Sequence, residues 1–290
     1  MSYIDYSAFD PLFLLHHTMI DRCFAMWQVI NPNTYVVPEP ATYSTFTNSA
    51  GDTQDSTSPL TPFHADASGK FWTSDSVRST ATFGYAYPET TNSTGNITTQ
   101  VIAAINKLYG STSNTTSKLK RNAGFIESRD VALNGNYHEW VANIRVKKSA
   151  LDAPFFIHIF LGDFNPEPAS WTFEPNLVGT HCVFTKASVS SSNCSCDPDQ
   201  MVTATIPLTD AMLTKITNGE LASLEPTDAT AYVADNLKYR VTRLDNSEVD
   251  NGDVPSMKIS IASVEVQRAA SEDELPRWGE MIPHMDIGTC

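Results

Sequence analysis

Cysteine is scarce: five residues in 290 (Cys23, Cys182, Cys194, Cys196, Cys290), an odd number that excludes a disulfide-stapled scaffold. Basic residues are also few. Nineteen Lys and Arg stand against 33 Asp and Glu, a net charge of −14. A chain this acidic repels phosphate backbones and anionic lipid surfaces, so no nucleic-acid or membrane partner is expected. Apolar runs are short. The longest candidate, 9–30, is interrupted by His16, His17, Asp21 and Arg22 and falls short of the roughly 18 apolar residues a span requires. Met1–Asp5 carries no basic leader, so no secretory signal is expected and the location reads as cytoplasmic or unknown, and the four Asn-x-Ser/Thr sequons (Asn92, Asn96, Asn114, Asn193) read as chance matches in Ser/Thr-rich sequence. Aromatics are not lacking: 14 Phe, 10 Tyr and 5 Trp suffice for a core, which excludes a disordered chain.

One long helix is predicted over 11–30. Asp10 suits the N-cap and Pro11 the first helical position, and Asn31-Pro32-Asn33 ends the run. Its residues are apolar nearly all round, the pattern of a helix at the centre of a bundle. The chain offers few helical partners: 98–109, stopped by Gly110, and a shorter segment at 208–221. A central helix without its bundle predicts that N-terminal sequence belonging to the same fold lies outside these residues. Residues 31–90 are polar and extended with scattered aromatic anchors. Residues 110–122 (GSTSNTTSKLKRN) read as a linker. Strand patterns follow at 137–146, 155–161, 181–187, 201–206, 238–244 and 257–267, which suggests an antiparallel sandwich or barrel. The fold class is therefore α+β: the remnant of a helical bundle in 1–109, the linker 110–122, and a β-rich, sandwich-like part in 123–290.

The chemistry-bearing string is Ser7-Ala-Phe-Asp10-Pro-Leu-Phe-Leu-Leu-His16-His17-Thr-Met-Ile-Asp21-Arg22-Cys-Phe-Ala-Met-Trp27-Gln28. Adjacent helical residues point about 100° apart, so His16 and His17 cannot face one ligand. His17 shares a face with Phe13, Asp21 and Phe24, and His16 with Leu12, Ile20 and Cys23. Buried imidazoles need hydrogen-bond partners or a metal; the residues alone leave both open. Asp21 reads equally as a partner of Arg22, as a partner of a backbone donor, or as a chemical group.

The whole string resembles the second copper-binding signature of the tyrosinase, catechol oxidase and haemocyanin group, matching at Asp10, Pro11, Phe13, His16, His17, Asp21, Arg22, Trp27 and Gln28. A second stretch, Phe83-Gly-Tyr85-Ala-Tyr87-Pro-Glu89, is similar to the Tyr-x-Tyr motif that closes the catalytic domain of fungal tyrosinases. The segment 137–161 resembles the start of the β-rich C-terminal domain of the long fungal enzymes.

The resemblance implies a type-3 dicopper oxidoreductase, each copper held by three imidazoles in a four-helix bundle. Such an enzyme hydroxylates monophenols ortho to the hydroxyl, a step of melanin biosynthesis, and oxidises catechols to quinones with dioxygen. It implies His17 as a copper ligand, with His16 and Asp10 supporting it. It implies that the C-terminal domain shields the copper site until cut away, with Phe184 as the aromatic that plugs the entrance and Lys120-Arg121 as a processing site. Cys194 and Cys196 form C-x-C, where some relatives carry a C-x-x-C that helps load copper. The family uses six histidine ligands, including an H-x-x-x-H pair. The seven histidines here (16, 17, 64, 138, 158, 181, 284) contain no such pair, and His138 and His158 fall in strand patterns that suit structural roles. One ligand of six is thus expected, in a chain truncated relative to a full enzyme and inactive alone. Two other readings stand beside this one. The chain could be a non-enzymatic shielding or copper-chaperone-like module for a separate tyrosinase core, or a haemocyanin-like oxygen binder. Self-association as a homo-oligomer through the apolar helix is compatible with each.

Overall fold

The computed structural model describes residues 4–42, 44–91, 95–109, 135–185, 200–271 and 273–287. It is an α+β structure in which almost all of the buried apolar side chains lie beyond residue 139.

The N-terminal part begins with a 3-10 turn, Ile4–Phe9, and helix α1, Pro11–Ile30. Asp10 Oδ1 accepts from the Leu12 N–H at 2.9 Å, satisfying one of the donors a helix start leaves bare. The 31–73 region holds two small antiparallel ladders, β1 (Glu39–Pro40) with β2 (Thr53–Gln54), and β3 (Pro59–His64) with β4 (Phe71–Thr73). A one-turn helix, α2 (Ser74–Val77), follows with a Thr73/Ser76 capping box, and then α3 (Ile97–Tyr109), which packs against α1. Only Ala25, Met26, Val101 and the polar Asn106 are buried among the described residues up to 109.

The C-terminal part is a pair of four-stranded antiparallel sheets. One runs β10 (Glu248–Val249), β9 (Leu237–Arg243), β6 (Phe155–Leu161), β7 (Leu177–Val183). The other runs β12 (Arg277–Ile287), β11 (Lys258–Gln267), β5 (Asn136–Lys147), β8 (Met201–Pro207). On β5 the alternation expected from sequence is realised: Trp140, Ala142, Ile144 and Val146 point into the core with Ile157, Ile159, Val241, Ile259 and Ile261. Helices α4 (Thr209–Thr217) and α5 (Pro226–Asn236) carry the chain from β8 to β9 and add Met212, Leu213, Ala229 and Val233 to that core. Trp140 is fully buried and donates its indole N–H to the Leu224 carbonyl at 2.9 Å, which meets the polar demand of an otherwise apolar contribution.

β6 is fully buried on its inner face, while on its outer face Phe160 is buried and Phe156 and His158 are half-buried. Phe156, His158 and Phe160 lie on its outer side, under the 163–176 segment. There Phe164 stacks on Phe160 with centroids 3.9 Å apart, and Trp171, 1% exposed, donates to the Asn165 carbonyl. The part up to 109 and the sandwich are joined by a hydrogen bond from Asn106 Nδ2 to the Glu274 carbonyl, 2.9 Å.

Helices at 11–30 and 97–109 and the strands at 136–147, 155–161, 201–207, 237–243 and 258–267 lie within a residue or two of expectation. The expected 181–187 strand is found earlier, at 177–183, and the 208–221 helix ends at Thr217. β9 and β11 flank the acidic stretch 245–253 (DNSEVDNGD) but do not pair; they lie in opposite sheets. α5 and β12 were not expected. The 110–122 linker, Lys120, Arg121, Cys194 and Cys196 lie outside the described residues.

Candidate copper-ligand helix

Helix α1 expected burial on every side, and the described residues cover only one. Leu12, Leu14, Leu15, Met19, Ile20, Phe24 and Trp27 are all exposed, as are both histidines. His17 lies against Phe13, ring centroids 4.2 Å apart, on the face that helical spacing gives them, and the two imidazoles sit 5.3 Å apart, nearly edge-on.

The covered side is held by a short segment far along the chain. The hydroxyls of Tyr85 and Tyr87 both donate to Asp21 Oδ2, at 2.7 and 2.6 Å, and Tyr87 also reaches the Thr18 carbonyl at 3.3 Å. One residue on, Arg22 forms a two-pronged ion pair with Glu89, Nε to Oε2 at 3.2 Å and Nη2 to Oε1. Glu89 is fixed in turn by Gln100 of α3, whose amide donates to the Glu89 and Thr91 carbonyls at 3.1 and 3.0 Å. Electrostatics agree with this geometry. The Asp21 carboxylate pushes the Tyr87 phenol up to about 12, the Arg22 guanidinium holds the Glu89 carboxyl below its usual range, and the Leu12 N–H does the same for Asp10. Asp21 and Arg22 therefore pair with tyrosines and a glutamate across the fold, not with each other. Sequence reasoning identified the Tyr-x-Tyr stretch but not its partner, because the pairing spans 64 to 67 residues.

The remaining histidines lie apart from α1 in sequence and setting. His64 stacks on Phe71, His138 lies 3.7 Å from Glu225, and His284 stacks on Trp140 and pairs with the Ser263 hydroxyl. His158 is bracketed by the Thr180 and Thr242 hydroxyls at 3.0 and 2.9 Å, and burial lowers it to about 4. The structural roles expected of His138 and His158 fit these surroundings. Phe184 follows the last residue of β7 and is 42% exposed; Phe173, in the 3-10 turn Pro168–Phe173, is 88% exposed and was not singled out from sequence.

Imidazole is a donor that suits copper, and α1 presents two at its bare face. No group of three or more His, Cys, Asp or Glu that could hold a metal ion occurs among the described residues. No helix among them is long and apolar enough to cross a membrane.

The comparisons with known proteins agree with this geometry. Residues 1–30 match the common central domain of tyrosinase, and 139–261 match the tyrosinase C-terminal domain. The chain is 31% identical to the tyrosinase of Neurospora crassa, over 96% of its own length and 54% of that protein's. It is 34% identical to the Podospora anserina tyrosinase over 77% of its length and 48% of the relative's. The chain thus spans about half the length of these relatives. Among solved structures it superposes on mushroom tyrosinase, from a crystal holding latent and active forms, with a TM-score of 0.70 at 20% identity, covering 98% of this chain and 51% of the other. The matched helix, the matched sandwich and the shared fold together place this chain in the tyrosinase family, whose members are type-3 dicopper proteins.

Proposed function

We propose that this chain is the C-terminal portion of a tyrosinase-type copper oxidoreductase, acting on monophenols and catechols with dioxygen. In this reading His17 is one ligand of the second copper, and the other ligands come from residues outside these 290. The observation that carries it is α1 itself: a helix held at fixed register by Asp21 and Arg22, carrying His17 on a face with Phe13 and Phe24 and next to Leu12, Ile20 and Trp27, which the described residues leave exposed.

Bound copper would supply the redox chemistry with dioxygen. The residues of this chain have humbler tasks. Asp10 fixes the helix start, Phe13 limits the rotation of the His17 ring, and His16, one position round the helix, packs beside it without binding. The sandwich shields the site. Phe184, exposed at the end of β7, is the aromatic side chain that enters the substrate mouth, and cleavage near Lys120-Arg121 releases it.

The test is complementation. Co-expression with the half of the Neurospora crassa tyrosinase that this chain does not span should give a complex that converts a catechol to its quinone, while the 290-residue chain alone should not. Phe184→Ala in that complex should raise turnover before any proteolysis. Oxidase activity from the chain alone contradicts the proposal, as does a complex whose activity survives His17→Ala. A non-enzymatic shielding module is the second reading, favoured by the fact that the sandwich holds nearly all of the buried core. It predicts instead that the chain inhibits an already complete tyrosinase when added in excess.

A further inference from the structure

Two adjacent imidazoles on one helix pose a selection problem. A rotation of α1 by about 100° would exchange His16 for His17 at any fixed point beside it. A helix with a nearly all-apolar surface has little of its own to prevent this, because its apolar contacts are not directional.

Most directional contacts come from the 85–89 segment, with one more from Gln28 Nε2 to the Arg78 carbonyl at 3.3 Å near the far end of the helix. Asp21 is one turn beyond His17 and within about 40° of it round the helix, and helical side chains lean back toward the N-terminus. Its carboxylate therefore lies over the turn that carries His17. Tyr85 and Tyr87 approach the same oxygen with their rings 5.7 Å apart and nearly perpendicular, and Tyr87 adds a bond to the Thr18 carbonyl. Arg22, a further 100° round, is gripped by Glu89. Two neighbouring faces of α1 are thus pinned by five consecutive residues, which are themselves tied to α3 through Gln100.

We infer that Asp21, held by the Tyr85 and Tyr87 hydroxyls, is a positioning residue that sets the rotation of α1 so that His17 rather than His16 faces the metal. The clamp acts through the helix and touches neither copper nor substrate. The inference rests on the reading of His17 as a ligand, but the clamp can be tested without copper.

Peptide-level hydrogen exchange on the full 290-residue chain would compare wild type with Asp21→Ala and Asp21→Asn. Asn keeps an oxygen that accepts both phenols; Ala keeps none. The expected result is about tenfold faster exchange across 17–24 in Asp21→Ala, from the loss of hydrogen bonds to a charged acceptor. Asp21→Asn should stay within about threefold of wild type, and exchange in β6 should be unchanged in both, which shows that the sandwich is intact. Unchanged exchange in Asp21→Ala overturns the inference, as does equal acceleration in Ala and Asn. A copper arm uses the co-expressed complex: Asp21→Ala should lower copper occupancy severalfold and Asp21→Asn should restore it. If the wild-type complex itself takes up no copper, the ligand reading fails, while the exchange arm still decides whether the clamp holds the helix. If wild type loads copper and Asp21→Ala loads equally, the positioning role fails alone.

Discussion

Lowering the pH from about 7 to about 4.5 should remove stability that the sandwich draws from His158. The ring lies under the 163–176 segment among Phe156, Phe160 and Trp171, with Thr hydroxyls at both nitrogens and, among the described residues, no carboxylate paired to it. Burial lowers it from 6.5 to about 4. The sign follows from linkage: the folded protein prefers the neutral ring, so the contribution is complete above about pH 6.5 and is lost as pH falls toward about 4. Lowering from 6.5 to about 4 corresponds to at most about 3–4 kcal/mol, and the ring is partly reached by solvent, so about 1–2 kcal/mol is expected. Urea unfolding of wild type and His158→Gln at about pH 7, 5.5 and 4.5 measures it. His181 and His284 are lowered by burial in the same direction and destabilise both proteins alike, while the lowered carboxylates of Asp163, Glu220 and Asp245 begin to matter only at the acid end of this range. The wild type should therefore lose about 1–2 kcal/mol more than the variant between about pH 6.5 and 4.5. Parallel pH dependences would refute this account of the outer face of β6.

Trp140→Ala should cost about 3–5 kcal/mol in urea unfolding, since it opens a cavity at the centre of the core and strands the Leu224 carbonyl, whereas Trp278→Ala, on an exposed position of β12, should change stability little. Gly179→Ala should destabilise by about 1–3 kcal/mol, because a Cβ there would meet Ile206 Cγ2 at 2.9 Å, and pairing it with Ile206→Val should not recover the loss, since that change removes only the Cδ1 methyl and keeps Cγ2. Asp10→Ala should speed hydrogen exchange in the first turn of α1 and leave its last turn, capped by Asn31 against Trp27, unchanged.

Most of the sandwich was legible because its strands carry strong local patterns. Trp140 to Val146 alternates, and the apolar run of Phe155 to Leu161, ended by Gly162-Asp163, reads as a short strand. The long helix was equally plain, bounded by Asp10-Pro11 and Asn31. β12 was not legible: its residues are mostly exposed and mixed, with Gly279 and Pro283 inside the run, so it shows no period of two and owes its place to pairing with β11. α5 is a weak amphipath, fixed by Ala229 and Val233 packing into the core rather than by propensity. At the site, motif spacing drew attention to Asp21, Tyr85 and Tyr87 separately. Their meeting at one carboxylate oxygen depends on how the chain returns after the 31–73 excursion, which no local pattern encodes.

The central claim is that His17 binds copper when α1 is given its bundle. Metal analysis of the co-expressed complex tests it most directly, comparing wild type with His17→Ala and His16→Ala. The account predicts two coppers per complex in wild type, nearly the same in His16→Ala, and loss of the second copper in His17→Ala. Full copper loading in His17→Ala, or loss on His16→Ala alone, would contradict it.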